Sequence, residues 1–462
     1  VINNPVIPVE PVYYKVPGTH ELDLEAITAF AAIGFFLGRD TYWKDIKVLP
    51  PATSYSINSD QQVVPGEAYF KWFYAPRDIS FNETIEEFTF LFEKITNEQT
   101  SGKRIILPLS GGLDSRSQAA ALASLRHPNV ASYSYKFSNS FDETGYGRKI
   151  ANQCGFSFKD LKIPIGYLWS RIEELAEIND CFSEFTHPRQ MGVIDEIGEL
   201  GDLFFLGHWG DVLFDDMKLR DSATETEQLI HLKKKIVKKG GRELADSLWR
   251  VWGLDGDFEE YLDARLLDLL RTIDIKNANA KIRAFKSLFW APRWTSVNLG
   301  VFSSRRPVAL PYYDKRMCDF ICRVPEKYLA GRQIQIEYIK RASPELAAIP
   351  WQTYDPANLF TYQEFHHIKY LPKRIIRKGK RILNEKLRGK HLVQRNWENQ
   401  FLGKENKKSL DRWLLKNKTY SDFIPVSVTN DFLDRFKNGE SLYFSHPVSM
   451  LLTLSLFSKR HL

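Results

Sequence analysis

The run Arg104-Ile105-Ile106-Leu107-Pro108-Leu109-Ser110-Gly111-Gly112-Leu113-Asp114-Ser115-Arg116 constrains the fold more than any other stretch. Residues 105–109 form a continuous apolar run, which reads as a strand buried on both faces. The run stops at Ser110-Gly111-Gly112, and an alanine-rich segment with helical spacing follows over residues 118–125. A strand, a glycine turn and a helix start aim several backbone N–H groups and the positive end of the helix at an anion. The paired glycines let the main chain approach a phosphate with no Cβ in the way. Ser110 and Ser115 add hydroxyls, and Asp114 adds a carboxylate of the kind that holds Mg²⁺ between phosphate oxygens.

A bare Gly-Gly would fit any βα turn, but the hexad Ser110-Gly111-Gly112-Leu113-Asp114-Ser115 is far more specific. It resembles the pyrophosphate loop of N-type ATP pyrophosphatases, which cleave ATP to AMP and pyrophosphate while adenylating a substrate. The resemblance implies ATP and Mg²⁺ as cofactors. It also implies a nucleotide cradle made of Leu107, Ser110, Gly111, Gly112, Leu113, Asp114 and Ser115.

A second stretch repeats the arrangement. Residues 202–206 form another apolar run, which enters Gly207-His208-Trp209-Gly210-Asp211-Val212-Leu213-Phe214. Two carboxylates from two strand ends facing one polyphosphate are what a metal-bridged leaving group requires. Asp114 and Asp211 are therefore the expected metal ligands, with Gly207 and Gly210 beside the phosphates. Between the two stretches, residues 130–137 read as a strand that leads to Asp142-Glu143. An acidic residue just past a strand end lies where open α/β sheets bind ligands, so Glu143 joins the candidates beside its plainer reading as a helix cap.

These stretches, with Leu49-Pro50-Pro51 and the segment 305–325, resemble the synthetase domain of asparagine synthetases and, more distantly, β-lactam synthetases and lasso-peptide cyclases. The family's Leu-Pro-Pro-Gly junction is matched except at Ala52, and its Gly-Glu-Gly-x-Asp-Glu signature is matched at Gly207 and Asp211. His208 stands where the family carries a glutamate, Trp209 replaces a glycine, and Asp215-Asp216 replaces Gly-Gly. The resemblance implies a parallel-sheet α/β ATP pyrophosphatase domain, of the adenine nucleotide α-hydrolase type, over residues 85–350. It further implies a glutaminase-domain remnant and junction over 1–84 and a helical region over 351–462. The implied activity is an ATP-dependent, AMP-forming amide ligase.

The departures leave the acceptor half open. His208 is the expected base near neutral pH. The lysine that the family places a few residues beyond Pro350-Trp351 is absent from Gln352-Thr353-Tyr354-Asp355, and Lys340, Arg341 and Lys369 are the candidate replacements, Lys340 first. The carboxylate substrate is expected to be a small molecule, a glycan or a peptide. A lasso-type macrolactam cyclase and an inactive ATP-binding relative are the alternative readings. No cysteine precedes Cys154 and residues 1–40 leave no room for a glutaminase domain, so either that domain lies on a removed or separate piece that supplies ammonia, or the nitrogen nucleophile is another amine.

With 462 residues, the chain can bury two or three substantial cores. A net charge of +7 permits an anionic substrate without demanding one, and no nucleic-acid-binding module is visible. The four cysteines form no CxxC pair; that usage, with no signal peptide and no long apolar run, makes a cytoplasmic location the expectation. A charged helical insertion is expected over 225–270. The aromatics Phe285, Phe289, Trp290 and Trp294 are expected in the core, the other reading being that they line helices near the substrate cleft. The basic segment 373–390 reads as an amphipathic helix with a possible membrane contact.

Overall fold

A computed structural model describes residues 1–138, 144–367, 370–372, 375, 379 and 396–462. Glu143, Lys369 and nearly all of the basic segment 373–390 lie outside the described residues. Five short strands precede the main sheet: β1 (Ile2–Asn3), β2 (Tyr13–Lys15), β3 (Ile46–Val48), β4 (Thr53–Ile57) and β5 (Val63–Ala68). They form a three-stranded sheet, β1-β4-β5, and a separate β2-β3 pair.

The functional part is built on a five-stranded parallel sheet of β6 (Ile105–Pro108), β7 (Val130–Phe137), β8 (Ser157–Ile163), β9 (Leu203–Phe205) and β10 (Val308–Ala309). Its order is β10-β9-β6-β7-β8. The chain leaves β6 in one direction, through β7 to β8, and later returns to β9 and β10 on the other side. The strand order therefore reverses between β6 and β9. In open α/β sheets the crevice outside the strand ends at such a reversal is where ligands bind.

Helices cover both faces. α1 (Leu24–Ile33) is capped by Asp23, whose Oδ1 accepts the Ala26 N–H at 3.1 Å, and it ends at Gly34 in the left-handed region. α2 (Phe81–Thr100) starts in a capping box formed by Ser80 and Glu83. α3 (Leu113–Ser124) follows β6 directly, and α4 (Thr144–Cys154) and α5 (Tyr167–Asn179) follow β7 and β8. Helices Glu225–Ile236, Gly241–Val251 and Phe258–Arg271 make up the expected charged insertion, and the chain closes with the 21-residue helix Ser441–His461. Among the described residues no helix is long and apolar enough to cross a membrane.

Candidate active site

β6 is buried through Ile105, Ile106 and Leu107, and the turn after it leads straight into α3. The cap residue of α3, Gly112, offers no side chain, so the first N–H groups of the helix are left for another acceptor. The hydroxyls of the loop are turned on one another: Ser115 Oγ accepts the Ser110 N–H at 3.2 Å, and Ser110 Oγ accepts the Gly112 N–H at 3.2 Å. A Cβ on Gly111 would lie 2.5 Å from Gln352 Cβ, so only glycine lets the turn Gln352–Tyr354 close against the loop. Below the loop, the fully buried Arg116 donates to the carbonyls of Ile349 and Pro350 at 2.9 Å each and to that of Gly111 at 3.3 Å. Burial pulls this guanidinium down to about 10, which leaves it charged at neutral pH.

Asp114 lies in the first turn of α3, facing the turn after β9. Its Oδ1 accepts from Gln335 Nε2 at 2.9 Å and from Arg332 Nη2. Tyr312 donates its hydroxyl to the Asp114 carbonyl at 3.1 Å and accepts from Gln335 Nε2 at 3.1 Å. Burial pushes the Asp114 carboxyl up to about 6; Arg332 works against the shift and the like charge of Asp211 adds to it. A Cβ on Gly210 would press into Asp114 Oδ1, so the two turns meet only because residue 210 is glycine. Asp211 is exposed in the short helix Gly210–Leu213.

The loop residues, Asp114, Gly207, Gly210 and Asp211 thus converge across the β6–β9 crevice. Lys340 stands elsewhere: its ammonium lies over the Phe360 ring at 5.6 Å and pairs with neither aspartate among the described residues. Arg341 is engaged by Glu337 at 3.0 Å and Asn82 at 2.8 Å. The cation beside Asp114 is Arg332, which sequence reasoning passed over. Gly331 and Arg332 are consecutive left-handed residues, with φ of 68° and 61°, and Asp215 accepts the Gly331 N–H at 2.9 Å. An arginine held in that region is a strained residue of the kind found at functional sites. The Gly-Arg step before a helix was the one sequence signal available. A second cation, Lys286, is pushed down to about 8 by burial and the neighbouring Lys235, against the attraction of Asp211.

The acceptor side is aromatic. Trp209 is left-handed at φ 63°, donates its indole N–H to Thr295, and lies 5.5 Å from Trp290 and 6.2 Å from Trp294. Phe285 is buried as expected, and Phe289, Trp290 and Trp294 are partly buried against the same core, with Trp290 and Trp294 also flanking Trp209. The His208 ring stands edge-on to Phe302 with its Nδ1 buried and unpartnered, and burial pushes it down to about 4. It is neutral at pH 7 and a weak base.

The sequence model described as asparagine synthase matches residues 91–343, more than half of the chain. The chain belongs to the asparagine synthase family. Membership in the asparagine synthase family points to an ATP-utilising, amide-forming ligase or related synthetase. No curated protein matches the chain. Among solved structures, an NMN synthetase from Francisella tularensis is similar at 12% identity over 45% of this chain and 92% of that one, with a TM-score of 0.23. At that score the likeness says nothing about shared architecture.

The donor set fits Mg²⁺ in one specific way. Asp114 feels the like charge of Asp211, and no group of three or more His, Cys, Asp or Glu side chains is placed to hold a metal among the described residues. A hard cation needing about six oxygens would take the remainder from phosphates and water, so the aspartates would hold it together with the nucleotide.

Proposed function

We propose that the chain is an ATP-dependent, AMP-forming carbon–nitrogen ligase. A substrate carboxylate oxygen attacks the α-phosphorus of ATP, the bond to pyrophosphate breaks, and an acyl-adenylate forms. An amine then attacks the acyl carbon, the new C–N bond forms, and AMP leaves with the electron pair of the broken C–O bond. Splitting a difficult acyl transfer in this way follows the logic of covalent activation.

The observation that carries this reading is the meeting of the Ser110–Ser115 loop, Asp114 and Asp211 at the sheet's reversal point, with Arg332 fixed on Asp114. The free N–H groups of α3 and the loop hydroxyls bind phosphate oxygens. Asp114 and Asp211 would hold Mg²⁺, which would supply charge neutralisation for the pyrophosphate. Arg332 and Lys286 supply the positive charge that the absent family lysine would bring as charge builds on the transferring phosphoryl group. The neutral His208 and the Trp209–Trp290–Trp294 wall shape the acceptor side.

The test is release of AMP and pyrophosphate by purified protein with Mg²⁺ATP, against panels of amino-acid, uronic-acid and peptide carboxylates. One panel is expected to give stoichiometric AMP and pyrophosphate, and Asp114→Ala is expected to abolish both. Release of ADP and phosphate instead, or no turnover with any panel, would sink the reading.

A further inference from the structure

A cavity of about 170 Å³ gathers four ionisable side chains that adenylation does not use: Glu184, His187, His446 and Lys238, with Trp294 and Trp397 as walls. Glu184 is only 4% exposed. Its carboxylate accepts the Thr186 N–H at 2.8 Å and the hydroxyls of Thr186 and Ser449, and His187 Nε2 stands 3.3 Å away. Burial opposes its charge, but His187 and these donors outweigh burial and hold the carboxyl below the usual range, so it is anionic. His446 donates its Nε2–H to the Ala31 carbonyl at 2.9 Å, which leaves the lone pair of the neutral ring on Nδ1. Burial pushes that ring down to about 4.

Lys238 is the odd member. Burial lowers its affinity for the proton, Glu184 favours its charge, and yet the ammonium makes no ion pair among the described residues. Its contact is with the Trp290 ring, at 5.9 Å. Lys238 is half-buried, so its ammonium keeps contact with solvent while it feels the charge of Glu184. The cavity presents an anionic carboxylate with a neighbouring imidazole lone pair, and a half-buried ammonium that makes no ion pair among the described residues, between indole walls. That arrangement is the charge mirror of a small molecule with one ammonium and one acidic group. At ~30 Å³ per water the space holds about five or six waters, so the molecule has few heavy atoms.

The cavity shares a wall with the site already described, because Trp294 also packs against Trp209, beside His208 and Gly210. We infer that it is the subsite of the amine co-substrate, and that this co-substrate is a small zwitterionic amine with its ammonium on Glu184 and its acidic group on Lys238. The role as co-substrate site rests on the ligase reading; the binding does not.

Titration calorimetry of the intact protein without ATP separates the two. Glycine, β-alanine and taurine are the zwitterionic probes, ethanolamine the amine alone, and acetate the acid alone. At least one zwitterion is expected to bind and to quench tryptophan fluorescence, with ethanolamine and acetate at least tenfold weaker. Lys238→Met is expected to weaken the zwitterion by tenfold or more and to bring it level with ethanolamine. Glu184→Gln, checked for folding by circular dichroism, is expected to do the same relative to acetate; the ligand panel on the unaltered protein needs neither variant. Failure of every zwitterion to bind, equal binding of ethanolamine or acetate, or unchanged binding in folded Lys238→Met would overturn the inference. Because ATP is absent, loss of zwitterion binding with AMP release intact counts against this subsite alone, and the converse counts against the ligase reading alone.

Discussion

Asp114 and Lys286 set the pH range in which the site can work. With its carboxyl pushed up to about 6 by burial, Asp114 would hold the Mg²⁺ of the proposed reaction only above that pH, and Lys286, pushed down to about 8, loses its charge beyond it. The pH profile of kcat/KM for AMP formation is expected to rise through about 6 and fall through about 8, a bell set by one acid and one base. Lys286→Met should remove the alkaline fall, while Asp114→Asn should lower kcat/KM on the order of a hundredfold or more above about pH 6 and by less below it, where the unaltered carboxyl is neutral too. The same shift has a stability sign. Folded Asp114 holds its proton more tightly than an unfolded aspartate, so its contribution to stability is full below the ordinary 3.8 and is lost as pH rises through about 6. Asp114 was legible because hexad, strand and helix start are contiguous in the chain. Arg332 and Gln335 were not, because they reach it from 218 and 221 residues away and belong to no local pattern.

At the scale of elements, the continuous apolar runs read correctly: the strand expected over 130–137 is β7, and the strand ahead of the hexad is β6. What escaped was backbone geometry that side-chain identity disguises. Ala52 and Trp209 stand where the resembling family carries glycine, and both adopt the left-handed conformation that glycine takes most easily, at φ 54° and 63°. At Trp209 the strain is offset by the Thr295 hydrogen bond and two indole neighbours. At Ala52 no side-chain hydrogen bond compensates. Holding a non-glycine residue there costs roughly 1–2 kcal/mol, partly cancelled by the extra unfolded-state entropy of glycine. Ala52→Gly is therefore expected to stabilise the protein by about 0.5–1 kcal/mol. Urea unfolding followed by circular dichroism measures it, and an unchanged or lower midpoint would show that the turn is not strained. The ten-residue π-helix Lys286–Thr295, which contains Pro292, was equally invisible. It sets Trp290 and Trp294 beside Trp209 while both still pack against the core.

At the scale of the molecule, one hydrophobic core draws on distant parts of the chain: Phe30 and Tyr42 near the start, Phe204 and Leu206 at β9, and Leu452 and Phe457 in the last helix. The sheet face that carries the Gly207–Asp211 turn is thus sealed by the chain's first and last helices. The tightest joint is Tyr42 on Phe457, stacked at a centroid distance of 3.6 Å and with both rings essentially buried. Tyr42 also donates its hydroxyl to the Cys181 carbonyl at 2.5 Å, which ties the joint to the segment after α5. Removing a buried phenyl ring ordinarily costs about 3–5 kcal/mol, because the lost transfer energy and the cavity add. Phe457→Ala is expected to fall in that range, and Phe457→Leu to lose less because it keeps most of the volume. If the core is one cooperative unit, the loss will not stay in the C-terminal helix. Amide exchange should quicken in α1 and β9 together with Ser441–His461, and AMP formation should become heat-labile in parallel. Faster exchange confined to Ser441–His461 would mean instead that the last helix opens on its own and leaves the catalytic sheet intact.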